Sequence, residues 1–190
     1  MQDFYEILNE DSCLCKTCQQ RLLPHFDKFE IEDINGLSIY EYDDNIKSLL
    51  YQFKGCYDIE LAPIFLNRYK RELNLMYKDY VIVPVPSFKK DDEARGFNHV
   101  VEIYKIINLP ILNIIDKTSN FKQAKNKRAL RKDIGKFFRL NKHEMIMNKK
   151  VLIVDDVCTT GSTLKAIIRL VKTAKPKKIK ILVMSRRVMH

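Results

Sequence analysis

From Tyr80 onward the chain alternates short, predominantly apolar runs with amphipathic stretches, and this alternation limits the folds open to it more than any other feature. The runs are YVIVPVP (80–86), ILNII (111–115), KVLIV (150–154) and KIKILVMS (178–185). A run without a polar face must be covered on both sides, as an internal strand of a parallel sheet is. Helical patterns over residues 98–107 and 162–173 fall between the runs. The expected class is therefore α/β, a mostly parallel sheet flanked by helices, with all four runs in that one sheet.

Ahead of this region, residues 29–34 and 37–42 are β-prone, and Asn35-Gly36 between them tolerates positive φ. They predict a small β-hairpin lying outside the core. Ile46, Leu49, Leu50 and Phe53 then follow a helical period behind the capping candidates Asp43 and Asp44, with Gly55 placed to end the helix. A second helix is expected over 60–75, where Pro63 is tolerable in the first turn. With 190 residues and 46% hydrophobic composition, the chain can build one full core. The expected organisation is an N-terminal appendage (1–42) and one domain (43–190).

The acidic start MQDFYEILNEDS has neither the basic beginning nor the apolar run of a signal peptide. No stretch approaches the ~20 apolar residues of a membrane span. A cytoplasmic protein without membrane insertion is expected. The net charge of +10 is unevenly spread: residues 1–95 carry 12 basic and 18 acidic side chains, residues 96–190 carry 22 and 6. A positive field of this kind suits a phosphorylated small molecule or a nucleic acid, although a solvated Lys-rich surface has the same composition. Its densest part, residues 122–142, holds nine basic residues against the single acid Asp133. Weak periodicity there suggests a loop or a mobile helix.

The sharpest chemical signal is the segment VLIVDDVCTTGST (151–163): an apolar strand, two carboxylates, a Thr/Gly/Ser turn, and an amphipathic helix. Ligands of open α/β sheets bind beyond the carboxyl ends of strands, and a turn opening a helix presents unpaired N–H groups to a phosphate. Thr159, Thr160, Ser162 and Thr163 add hydroxyls, and Gly161 permits close backbone approach. Asp155 and Asp156, being anionic, should face hydroxyls or a metal ion instead of the phosphate. An ordinary capped turn, or a Mg²⁺-binding acid pair of another α/β family, would share part of this pattern.

The segment resembles the signature of type I phosphoribosyltransferases, whose substrate is 5-phosphoribosyl 1-pyrophosphate (PRPP). That resemblance implies that Asp155 and Asp156 hold the ribose hydroxyls, that the following residues, Val157, Cys158, Thr159, Thr160, Gly161, Ser162 and Thr163, surround the 5′-phosphate, and that Mg²⁺ accompanies PRPP. A second segment, VPVPSFKKDDEARGFNH (83–99), narrows the likeness. It is similar to the competence protein F (ComF) branch, which usually reads RGFNQ, so that His99 stands where Gln is common. By the same resemblance Arg95 is the candidate pyrophosphate contact, and a surface ion pair with Asp91, Asp92 or Glu93 is the plain alternative. YDDNIKSLLYQFK (42–54) resembles the family's helix ending in Lys. Gln123, Arg128, Arg131 and Phe138 resemble later landmarks, with Asp133 where Asn is frequent. Arg128 and Arg131 are nominated to meet the leaving pyrophosphate from a closing loop, Arg128 with Arg95 as catalytic candidates.

Five cysteines in a chain without an export signal point to reduced thiols or a metal site. ComF proteins commonly begin with two Cys-x-x-Cys pairs that hold zinc, whereas here Cys15 and Cys18 match one pair. Four ligands are needed. Cys13 and His25 do not complete a defensible spacing, so a remnant, zinc-finger-like element with little or no zinc is expected. Cys56 and Cys158 read as packing residues. The functions implied are transfer of phosphoribosyl to an unknown acceptor with release of pyrophosphate, a non-catalytic PRPP sensor or adaptor, or single-stranded DNA handling. The partners implied are PRPP, single-stranded DNA and competence or DNA-uptake proteins, with a homodimer left open. Stacking on DNA would need exposed aromatics, for which Tyr104, Phe121, Phe137 and Phe138 are candidates.

Overall fold

The computed structural model describes residues 22–118 and 137–187. Strands β1 (Asp27–Ile31) and β2 (Ile34–Glu41) form the expected hairpin, but its turn is Glu32-Asp33, with φ of 52° and 61°. Two successive left-handed residues make the tight connection that a twisted hairpin favours. Gly36 lies within β2 instead, opposite Phe29, whose ring comes within 2.5 Å of where a Cβ would sit. The Asn-Gly pair thus serves packing and not turning. The hairpin also does not lie outside the core, because β2 pairs in parallel with the last strand and buries Ile39 and Tyr40.

Helix α1 (Asp44–Gly55) starts where the Asp43 carboxylate accepts from the Ile46 amide at 2.8 Å, and it buries Ile46, Leu50 and Phe53. The helix expected over 60–75 is broken into 3₁₀ turns (Ile59–Phe65 and Asn67–Tyr69) and α2 (Lys70–Met76). Pro63, without an N–H, sits inside the first turn, and Leu66 donates back to its carbonyl at 3.3 Å. Next come β3 (Tyr80–Pro84), α3 (Lys89–Arg95), α4 (His99–Tyr104), β4 (Ile115–Lys117), β5 (Phe138–Leu140), β6 (Lys150–Cys158), α5 (Ser162–Lys172) and β7 (Lys178–Arg186).

The main sheet has the order β1-β2-β7-β6-β3, and every pairing but that of β1 with β2 is parallel. Three of the four apolar runs are its strands. The fourth, 111–115, touches the sheet through a single bridge between Ile82 and Ile111, and its end enters β4, which pairs antiparallel with β5 in a separate ribbon. Pro110 has no N–H to continue a ladder, so contact with β3 is confined to two bonds around Ile82, each 2.8 Å.

Each sheet face is covered. Ile82, Leu152, Val154, Leu182 and Met184 pack with Phe53, Leu73, Ile103 and Tyr104 from α1, α2 and α4. Val151, Ile153, Ile181 and Val183 pack with Leu164, Ile167, Ile168 and Val171 of α5, and with Ile115 and Phe138. Among the described residues no helix is long and apolar enough to cross a membrane. The parallel register brings the carboxyl ends of β3, β6 and β7 to one edge, where the strand portions of both chemically distinctive segments end.

Candidate phosphoribosyl site

Asp155 and Asp156 lie near the carboxyl end of β6 and are buried, at 9% and 7% exposure. Successive strand residues point to opposite faces, and the two carboxyls have different surroundings. Asp156 Oδ2 is met by Lys54 Nζ from the last turn of α1 and by His99 Nε2 at 3.4 Å from the start of α4. Its Oδ1 accepts from the Val157 amide at 2.8 Å. Asp155 Oδ1 accepts from the Asp156 amide at 2.9 Å.

Their protonation follows. Burial, and then the charge of Asp156, push the Asp155 carboxyl well above the ordinary carboxylate range. Burial opposes ionisation of Asp156 too, but the Lys54 charge and the His99 hydrogen bond outweigh it and hold that carboxyl well below the range. The pair is divided into one firmly ionised carboxylate and one that retains its proton more readily. Tyr104, fully buried, shares its hydroxyl proton between the carbonyls of Asp155 (2.7 Å) and Leu182 (3.0 Å), which fixes the backbone beneath them.

The segment 83–99 is cross-bonded. Asp92 Oδ1 pairs with Arg95 Nη1 at 3.0 Å, while Oδ2 accepts from Ser87 Oγ and, at 2.9 Å, from Asn98 Nδ2. Gly96 ends α3 in the left-handed region, φ 86°, and Asn98 caps α4 by accepting from the Val101 amide at 3.0 Å. Phe97 packs 5.3 Å from Phe53. The Arg95 side chain is 10% exposed, donates from Nε to the Lys54 carbonyl at 3.3 Å, and lies 3.1 Å from His99 Nδ1. Its ion pair is with Asp92, and the guanidinium faces inward.

The strand runs two residues beyond Asp156, pairing Val157 with Ser185 and Cys158 with Arg186, before the loop begins. Val157 and Cys158 turn their side chains into the two cores. Burial, and then the Asp155 charge, raise the Cys158 thiol to about 11, so it is a packing residue. Thr159 and Thr160 are exposed, Ser162 and Thr163 half-buried, and Thr160 Oγ1 lies 2.9 Å from Ser162 Oγ. Gly161 has φ 69°, and a Cβ there would meet Ile31 Cδ1 at 2.8 Å. The N-cap of α5 is Gly161, which has no side chain to cap the helix, and the first amides of a helix have no partner within it. The hairpin tip steadies this helix through Glu32, which bridges Lys165 at 3.0 Å and Arg169 at 2.9 Å.

Residues 69–188 match the family model of the phosphoribosyl transferase domain. The chain belongs to that family. It is 30% identical over 129 residues to competence protein ComFC of Bacillus subtilis (strain 168), covering 67% of this chain and 53% of that relative, about half its length. It is 25% identical over 193 residues to competence protein ComFC of Streptococcus pneumoniae (strain ATCC BAA-255 / R6), covering 90% and 87%. Both relatives accord with the ComF-type reading of residues 83–99. A purine phosphoribosyltransferase structure from Pyrococcus horikoshii is 22% identical with a TM-score of 0.40, covering 64% of this chain and 71% of its own.

Asp155, Asp156, Arg95 and residues 157–163 thus gather at one edge, while Cys15, Cys18, Arg128 and Arg131 lie outside the described residues. Lys54 was legible as a helix-ending lysine but its partner Asp156 was not. Asp92 was legible only as one of three ion-pair alternatives for Arg95, the one the structure shows, and Ser87 carried no signal beyond its place in the second segment.

Proposed function

We propose that this edge binds PRPP, with Asp155 and Asp156 on the ribose hydroxyls and residues 159–163 on the 5′-phosphate. The observation that carries the reading is the adjacency, within one segment, of a buried acid pair and an uncapped, hydroxyl-lined helix start. Asp156 as a carboxylate accepts hydroxyl hydrogen bonds strongly. Asp155, where it keeps a proton, can both donate and accept. Thr159, Thr160 and the α5 amides donate to the phosphate, and Gly161 keeps the approach open.

If the site is catalytic, a nucleophilic nitrogen or other nucleophile of the acceptor attacks C1, the bond from C1 to the pyrophosphate oxygen breaks, pyrophosphate leaves with the electron pair, and the nucleophile's proton passes to solvent or to the leaving group. Among the described residues no group of three or more His, Cys, Asp or Glu could hold a metal ion. The oxygen donors therefore fit Mg²⁺ as a companion of the pyrophosphate and not as a caged ion. When bound, Mg²⁺ neutralises charge on the leaving group. Calorimetric titration of PRPP with and without Mg²⁺ tests the assignment: saturable binding that weakens when Mg²⁺ is withheld is expected, and no binding in either condition overturns it.

A second reading, single-stranded DNA handling, has support elsewhere. Lys149, Lys175, Lys177 and Lys178 are exposed at the amino ends of β6 and β7, beside Lys150, whose Nζ is 3.5 Å from Asp79. Main-chain bonds join Lys177 to Lys149 (2.8 Å) and Asn148 to Lys175 (3.1 Å). Two of the stacking candidates, Tyr104 and Phe138, are buried in the cores and cannot stack on bases, while Phe121 lies outside the described residues. Titrations at two salt concentrations should give a steep salt dependence unaffected by PRPP, because the lysines occupy the opposite edge.

A further inference from the structure

The geometry points to Arg95 and His99 as a positioning relay for Asp156, with the arginine acting through the imidazole and not on pyrophosphate. The inference deepens the PRPP reading in its binding arm alone. Arginine has five N–H donors and no acceptor, so the 3.1 Å approach of Arg95 Nη1 to His99 Nδ1 requires Nδ1 to offer its lone pair. The ring proton then resides on Nε2, the atom 3.4 Å from Asp156 Oδ2. A directed chain results, from guanidinium to imidazole to carboxylate, and it fixes which way the carboxylate faces.

Arg95 is itself held by Asp92 Oδ1 at 3.0 Å on its own helix and by the Lys54 carbonyl at 3.3 Å on α1. The charged groups facing the ring are Arg95 from α3 and Asp156 from β6, with Lys54 of α1 on the far side of that carboxylate and Asp92 behind the guanidinium. The ring is 12% exposed and Arg95 10%. An inward guanidinium with three oxygen partners, Asp92 Oδ1 and the carbonyls of Lys54 and Phe97, and a ring nitrogen is poorly placed to receive a solvent-borne anion. A glutamine at 99 offers the same ordered pair, an acceptor oxygen for Arg95 and a donor N–H₂ for Asp156, which explains how His can stand in an RGFNQ-like segment.

The test has two arms. Long-range ¹H–¹⁵N spectra of the ligand-free protein at pH 8, with the His99 signal assigned by its loss in His99→Gln, should show a proton on Nε2 and a bare Nδ1. A proton on Nδ1 overturns the relay, whatever the protein binds. In the second arm PRPP and ribose 5-phosphate, which lacks pyrophosphate, are titrated against Arg95→Met, His99→Leu and His99→Gln. Arg95→Met and His99→Leu should weaken both ligands by the same factor, about tenfold for one charge-assisted hydrogen bond, and His99→Gln should stay within about threefold of the parent. Loss of PRPP affinity with ribose 5-phosphate unchanged would make Arg95 a direct pyrophosphate ligand and overturn the proposal. If the parent binds neither ligand, the PRPP reading falls and the nitrogen spectra still decide the relay.

Discussion

The two arms of the candidate site are built differently. On one side, residues 87–99 and Lys54 enclose Asp156 in a network in which Ser87, Asp92, Arg95, Asn98 and His99 each have side-chain partners. On the other, residues 159–163 are held by a glycine in the left-handed region, by the hairpin tip and by one hydroxyl pair, with two threonines exposed. Under the proposed reading, the groups that would orient the sugar are thus fixed before any ligand arrives, whereas those that would take the phosphate remain open to water. Preorganisation of the first arm lowers the ordering cost of binding there, and the second arm keeps its donors available.

The sharpest way to break this contrast is Asp92→Ala. It removes an acceptor shared by the half-buried Ser87, Arg95 and Asn98 and should cost about 1–3 kcal/mol of stability, since three donors lose a charged partner together. A denaturant midpoint close to that of the parent would show that the network is not rigid. Gly161→Ala comes next, at about 1–2 kcal/mol for a left-handed residue with a Cβ, the Ile31 methyl having to move as well. An unchanged midpoint there would mean the loop relaxes freely.

Asp155→Asn should stabilise the protein. The carboxyl is held above the ordinary range, so the folded state binds a proton more tightly than the unfolded state and loses stability as pH rises from the unfolded value through the folded one. Asn keeps the acceptor for the Asp156 amide and removes the charge. A gain of about 1–2 kcal/mol at pH 8 that fades towards pH 4 is expected from thermal melts; equal gain at both pH values would reject the divided pair. Thr159→Ala with Thr160→Ala marks the smallest stability effect, under about 0.5 kcal/mol at exposed positions. Its consequence should appear in affinity for inorganic phosphate or ribose 5-phosphate.

Much of this was legible from residue pattern. Three apolar runs became sheet strands because nothing but burial on both faces suits them, and α1 begins where Asp43 can cap it. The hairpin was legible but its turn was not. A glycine usually answers a demand for positive φ, whereas Gly36 answers the Phe29 ring, and Glu32 and Asp33 take the strained positions. The run 111–115 read as a strand because apolar content does not reveal how Pro110 limits its ladder. At the site, the acid pair and loop stood out as a pattern of strand, two acids and turn, while the roles proposed for them rest on the family resemblance. Their unequal surroundings could not, because Lys54 lies 102 residues from Asp156 and only the fold joins them.

The claim that this edge is a phosphoribosyl site is tested most directly by replacing both Asp155 and Asp156 with Asn and titrating PRPP in the presence of Mg²⁺, with single-stranded DNA as the control ligand. Amides accept hydroxyl hydrogen bonds less strongly than carboxylates, and two such contacts should reduce PRPP affinity at least about 100-fold. Asp155→Asn relieves a buried charge while Asp156→Asn leaves Lys54 unpaired, so the melting temperature should change little and the fold should persist. Affinity for DNA should not fall, since the basic residues are untouched. A double variant that is folded and binds PRPP as tightly as the parent would contradict the account.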